Sequence, residues 1–178
     1  VSAKTESRKE GEKMLKPEIR TARKEEAALL AKIEALCFPK AEAASEEEIR
    51  VRMETFLENF FVAEIDGTVV GFINGGTTDK PSLPDELYHN ASLHKPEGAY
   101  QTVFGLDILP EYRHRKIAGS LLEYMVEISR QRGKKGVILT CKEHLIPFYE
   151  SHGFHNFGVS QSEHGNAVWY DMRREFSK

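Results

Sequence analysis

The sequence predicts a mixed α/β domain, and three observations carry that prediction. Apolar positions switch along the chain between a helical period and a strand period. The run 59–76 holds two apolar segments joined by Asp66-Gly67, a strong hairpin signal. Residues 99 to 140 then give strand, Pro-led turn, amphipathic helix and a short, fully apolar strand of the buried type. At 178 residues, 40% hydrophobic and 30% charged, the chain suits one domain with a real core.

Residues 1–16 are polar and aperiodic and read as a flexible arm, leaving 17–178 as a single domain. PEIRTAR (17–23) alternates as a short strand. Ala27, Leu30, Ala31 and Ile33 fall at helical spacing from Lys24 to Leu36, and Pro39 stops that helix. Ser45 with Glu48 forms a capping box for a second helix that runs to about Leu57. After the hairpin, 77–98 reads as a loop with three prolines; a loop that long is functional or carries a short helix. His94 within it is expected to be exposed. AYQTVFGLDIL (99–109) is read as one strand, 115–131 as a helix and GVILT (136–140) as a strand. A short helix spans 147–152, and closing strands at 154–161 and 166–173 turn around His164-Gly165.

A net charge of −3 disfavours nucleic acid as a partner, and no apolar run approaches the roughly 20 residues of a membrane span. No signal-peptide pattern opens the chain. Cys37 and Cys141 match no metal spacing and suit a reducing, cytoplasmic setting; no metal is expected. An exposed closing strand leaves a homodimer open.

The stretch PEYRHRKIAG (110–119) clusters Arg113, His114, Arg115 and Lys116 between a strand and a helix. It reads equally as a solvated helix start or as an anion cradle, in which unpaired N–H groups and the helix dipole bind phosphate. L-D-I-L-P-E-Y-R-x-x-x-x-A-G-x-L-L resembles motif A of the GCN5-related N-acetyltransferase (GNAT) superfamily. That family's pattern, Arg/Gln-x-x-Gly-x-Gly/Ala, wraps the pyrophosphate of acetyl-coenzyme A. Arg113 and Ala118 hold the ends of the pattern, and Lys116 replaces its middle glycine. GVILTCKEHLIPFYESHGF (136–154) resembles motif B of the same family, with Tyr149, Gly153 and Phe154 at the family's spacing. The wording T-C-K-E-H-L-I-P-F-Y and the ending W-Y-D-M are most similar to the arylalkylamine N-acetyltransferase-like branch.

The resemblance covers about residues 18 to 173. It implies the GNAT fold, a central mixed and largely antiparallel sheet of about seven strands flanked by about four helices. It implies acetyl-coenzyme A as cosubstrate and transfer of the acetyl group to a primary amine of a small molecule or peptide. Cofactor contacts are then expected from Ile108 and Leu109, from Arg113, His114, Arg115, Lys116, Ile117, Ala118, Gly119 and Ser120, and from Lys142 and Phe148. Tyr149 becomes the general acid at sulfur, since a phenol with a pKa near 10 is protonated at neutral pH. The His-x-His pair credited with proton relay in the vertebrate enzymes is replaced by Thr102 and Phe104. The base therefore stays open among Asp107, Glu34, His164 and a water chain. Phe38, Glu34 and His164 are candidate substrate contacts. Lys116 and the missing His pair also fit a second reading, a coenzyme A-binding regulatory module without catalysis.

Overall fold

The computed structural model describes residues 16–177, so the expected arm lies outside the described residues apart from Lys16. Strand β1 (Glu18–Thr21) leads through a tight turn at Lys24–Glu26 into α1 (Ala27–Cys37). The turn delays the α-helix by three residues because Glu26 is engaged twice. Its carboxylate accepts from the Arg23 N–H at 2.7 Å and pairs with Arg20 at 2.8 Å. Phe38 adopts an extended φ of −127°, as a residue before proline must, and α1 ends there. Helix α2 (Glu46–Phe56) opens on the expected capping box. Ser45 Oγ accepts from the Glu48 N–H at 3.1 Å, and the Glu48 carboxylate accepts from the Ser45 N–H at 3.3 Å.

Strands β2 (Phe60–Ile65) and β3 (Thr68–Asn74) form the expected hairpin. Asp66 (φ 49°) and Gly67 (φ 80°) both lie in the left-handed region, which a two-residue turn matched to the sheet twist requires. The 77–98 segment carries a two-residue strand β4 (Thr77–Thr78) and a one-turn helix α3 (Glu86–His89). The His94 side chain is buried rather than exposed, only 4% accessible. Its Nδ1 accepts the Thr77 N–H at 2.9 Å, and its ring packs on Phe56.

The predicted single strand 99–109 is two strands, β5 (Tyr100–Val103) and β6 (Gly105–Ile108), broken at Phe104. Up to Val103 the chain pairs in parallel with β7 (Gly136–Cys141). From Gly105 it pairs antiparallel with β3, and the Phe104 N–H donates to the Asn74 carbonyl at 2.7 Å at the changeover. The chain thereby passes from one sheet to another. The two sheets run β1-β2-β3-β6 and β4-β5-β7-β9-β8, with β8 (His155–Val159) at the edge beside β9 (Tyr170–Glu175). Beyond Val103 and its partner Leu139, β6 and β7 diverge and a cleft opens. Helix α4 (Ile117–Gln131) connects β6 to β7, and the short helix α5 (Ile146–Ser151) connects β7 to β8. β9 starts later than expected because Trp169 Nε1 donates to the His164 carbonyl at 2.7 Å, folding 164–169 into the turn. The described residues thus hold nine strands and five α-helices, more than the seven and four expected.

The first sheet is covered on both faces. Phe60, Val62 and Phe72 pack against Leu30 and Ile33 of α1 and Met53 and Phe56 of α2. The alternate residues Phe61, Ala63 and Ile73 pack against Leu121, Leu122 and Met125 of α4. This period-two division of β2 and β3 between two cores places α1 and α2 on one face of the sheet and α4 on the other.

Candidate active site

The turn after β6 forms a cradle. Leu109 donates its N–H to Val70 O at 2.8 Å and packs its half-buried side chain against the α1–α2 core. His114 (φ 62°) and Lys116 (φ 64°) are left-handed, so α4 opens at Ile117, two residues later than the sequence pattern suggested. Ser120 is the first to close a helical bond, to Lys116 O at 3.2 Å. The N–H groups of Ile117, Ala118 and Gly119 precede it and have no partner within the helix. They border an open depression of about 900 Å³, lined also by Arg113, His114 and Phe148.

The basic side chains divide. Arg113 folds back, its Nε donating to Ile108 O at 3.0 Å, and the Cys37 thiol donates to the same oxygen at 3.3 Å. Arg115 lies outside the depression, over the Tyr112 ring. The Ile117 side chain is core; only its amide faces the cradle. Lys142 stands farther along, paired with Glu42 at 2.7 Å. Ile108, Arg113 and Ala118 are shared with a groove of about 330 Å³ that runs between Leu106 and Lys142. That groove shares Phe38, Leu106 and Trp169 with an inner cavity of about 90 Å³. One path therefore leads from the α4 amides into the cleft between β6 and β7.

Tyr149 lines the inner cavity from α5 and is 7% exposed. Burial, with Cys141 beside it, pushes its phenol well above the ordinary range, so it is a firmly protonated donor. Its hydroxyl has no hydrogen-bond partner among the described residues. The Cys141 thiol is itself pushed up to about 12 by burial.

On the opposite wall Glu34 is 5% exposed. Its Oε2 accepts the Ala44 N–H at 2.8 Å, while Oε1 is left without a partner. Asp107 does not reach the cavity wall; it is fully buried behind Glu34, with both oxygens unpartnered. Burial, then the neighbouring Glu34 carboxylate, raises the Asp107 carboxyl well above its ordinary range. The Asp107 carboxyl therefore holds its proton more firmly than a free one. Gly105 leaves the space between the two carboxyls open: a Cβ there would stand 2.9 Å from Asp107 Oδ1 and 3.4 Å from Glu34 Oε1.

Arg52, Tyr88 and Trp169 also line the cavity, and the sequence reading did not single them out. Arg52 is 5% exposed, donates to Asn74 Oδ1 at 3.2 Å and Tyr88 O at 2.8 Å, and stacks on Phe104. Its signal was present: Ile49, Arg52, Met53 and Phe56 share the buried face of α2, where an arginine needs a reason. His164 reaches the cavity rim, donating from Nε2 to Glu42 O at 2.9 Å and stacking on Tyr88. Phe38 lines the same cavity, so the three candidate substrate contacts converge there.

Compared with known proteins, the chain matches the Acetyltransferase (GNAT) family model over residues 27–154. It is 28% identical over 109 residues to serotonin N-acetyltransferase of Mesocricetus auratus, covering 61% of this chain and 51% of that relative. The chain thus spans about half the length of that relative. Among solved structures it is similar to the loading GNATL domain of CurA from Lyngbya majuscula. That match has a TM-score of 0.77 at 18% identity, covering 89% of this chain and 97% of the other. The PaiA N-acetyltransferase of Thermoplasma acidophilum, solved in complex with coenzyme A, is similar with a TM-score of 0.66 at 19% identity, covering 90% and 99%. With the cradle, cleft and element order in place, the chain belongs to the GNAT family of acetyltransferases.

Proposed function

We propose that the protein moves an acetyl group from acetyl-coenzyme A to the primary amine of a small molecule or peptide, by direct attack on the thioester, in the cytoplasm. The observation that carries this reading is the continuous path from the free α4 amides to Tyr149 and Glu34. The cradle fits a diphosphate: three unpaired amides and a helix dipole face it, with Lys116 at its edge. The groove beyond is flanked by Leu106, Ala118 and Leu145, suiting a slender, mostly apolar arm. When bound, acetyl-coenzyme A supplies a thioester carbon open to attack by an amine.

The chain's own residues then have two proton tasks. An amine attacks as the free base, so its ammonium proton must leave; Glu34 Oε1 is the unpartnered acceptor on the cavity wall. Asp107, buried behind Glu34, acts as a positioning residue for that carboxylate. As the C–S bond breaks, the sulfur needs a proton, and the buried Tyr149 hydroxyl holds one. Glu34, Glu42 and Glu48 on the cavity wall favour a cationic acceptor.

Thiol release from acetyl-coenzyme A, followed against a panel of primary amines, tests the reading. Release should rise with at least one amine class, and Tyr149→Phe should lower kcat about 100-fold. Undiminished turnover in Tyr149→Phe would remove the acid assignment. Tight cofactor binding with no release for any amine would favour a regulatory coenzyme A-binding module instead.

A further inference from the structure

The cradle has one wall that the motif does not supply. His152, just past the end of α5, flanks the first turn of α4. Its Nδ1 lies 2.9 Å from Glu123 Oε1, and Glu123 is held in turn by Arg174 Nη1 at 3.0 Å. Arg174 Nη1 also donates to the His152 carbonyl at 2.8 Å, and Phe148 packs edge-to-face on the ring. The far edge of the imidazole meets Gly119: a Cβ added there would stand 3.0 Å from both Cε1 and Nε2. Gly119 lies outside the Arg-x-x-Gly-x-Gly/Ala pattern, which ends at Ala118. Its lack of a side chain is what admits this ring edge beside the free amides.

Nδ1 faces a carboxylate, so it carries a hydrogen and donates. Nε2 has no hydrogen-bond partner among the described residues and is the nitrogen left beside the cradle. Only an imidazolium presents hydrogens on both nitrogens. Burial works to raise the Glu123 carboxyl, yet the His152 hydrogen bond and Arg174 hold it below its ordinary range, keeping a full negative charge behind the ring.

We propose that His152 is a phosphate-contacting residue of the coenzyme A site, its imidazolium Nε2–H donating to a diphosphate oxygen seated on the α4 amides. Where the ring is neutral before binding, binding takes up a proton at His152. The other charged or titratable groups around the ring are Glu123 and Arg174, with Arg113, His114 and Lys116 across the depression. The proposal rests on the coenzyme A reading above.

Calorimetry with coenzyme A and with pantetheine, which lacks the diphosphate, tests it at about pH 6 and about pH 8. Buffers of different ionisation heat report the protons taken up. His152→Gln should weaken coenzyme A binding about tenfold at the lower pH and little at the higher. It should abolish the proton uptake and leave pantetheine binding unchanged; Glu123→Gln should reproduce part of the loss. Proton uptake should persist in His114→Gln. Unaltered coenzyme A affinity in His152→Gln at both pH values overturns the proposal. So does an equal loss for coenzyme A and pantetheine, which marks a structural prop. Wild-type protein that binds coenzyme A without proton uptake at either pH overturns this inference alone; wild-type protein that binds no coenzyme A overturns the cofactor reading as well.

Discussion

Lys116 sits at φ 64° and ψ 13°, the left-handed region that costs an L-residue roughly 1–2 kcal/mol. The family pattern places glycine there, and the backbone has kept the glycine conformation although the side chain has changed. Lys116→Gly relieves that strain but gives the unfolded chain more freedom, worth about 0.4–1 kcal/mol in the other direction. The expected net effect is between neutral and about 1.5 kcal/mol stabilising, with coenzyme A affinity equal or better. Thermal unfolding and calorimetry read the two quantities. A tenfold loss of affinity would mean that the Lys116 ammonium touches phosphate directly. Arg113 teaches a related lesson: the motif position was legible, but the guanidinium turns back onto Ile108 O instead of facing a ligand. His152 was invisible to sequence reading because its role depends on a missing side chain at Gly119, thirty-three positions away.

Among the elements, those specified locally were legible and those specified by long-range pairing were not. The Ser45 box, the Asp66-Gly67 turn and the helix over 117–131 need only neighbours in sequence, and they form as expected. The break at Phe104 was not legible, because its cause is the change of partner from β7 to β3. The 77–98 segment is another case: His94 looked like a surface residue, yet it ties the far part of that segment back to its first strand, β4, through the Thr77 N–H. Burial lowers its pKa from the ordinary 6.5, with Glu58 opposing. Folded His94 therefore binds a proton less readily than unfolded His94. Stability is retained above pH 6.5 and falls as the pH drops below it toward the lowered folded value. His94→Phe keeps a ring against Phe56 but orphans the Thr77 N–H, costing about 1–3 kcal/mol at neutral pH. Its unfolding midpoint should change less between pH 6.5 and about pH 5 than that of the wild type, followed by circular dichroism. An equal slope in both proteins would assign the acid sensitivity elsewhere.

For the molecule as a whole, the cleft exists because two sheets diverge around β6, and the divergence leaves a carboxyl at the seam. Asp107 is fully buried between β3 and α1 with neither oxygen hydrogen-bonded to a donor. Fold stability alone would not select a carboxylate there, which is why the sequence reading could propose Asp107 for catalysis but not place it behind Glu34. Its pKa is raised above the ordinary 3.8 by burial first and by Glu34 second. Below pH 3.8 the folded and unfolded states both hold this proton. As the pH climbs from there through the raised folded value, the unfolded chain has released the proton while the folded chain keeps it, so stability declines. Asp107→Asn removes that decline and retains an N–H that can donate to Glu34. Its advantage over the wild type should be small near pH 4 and grow to about 1–3 kcal/mol by neutral pH. In a domain of this size that raises the unfolding midpoint by about 2–4 °C per kcal/mol. Thermal unfolding across that pH range measures it. A variant that is less stable than wild type at neutral pH would show that the Asp107 side chain holds the seam between the sheets together.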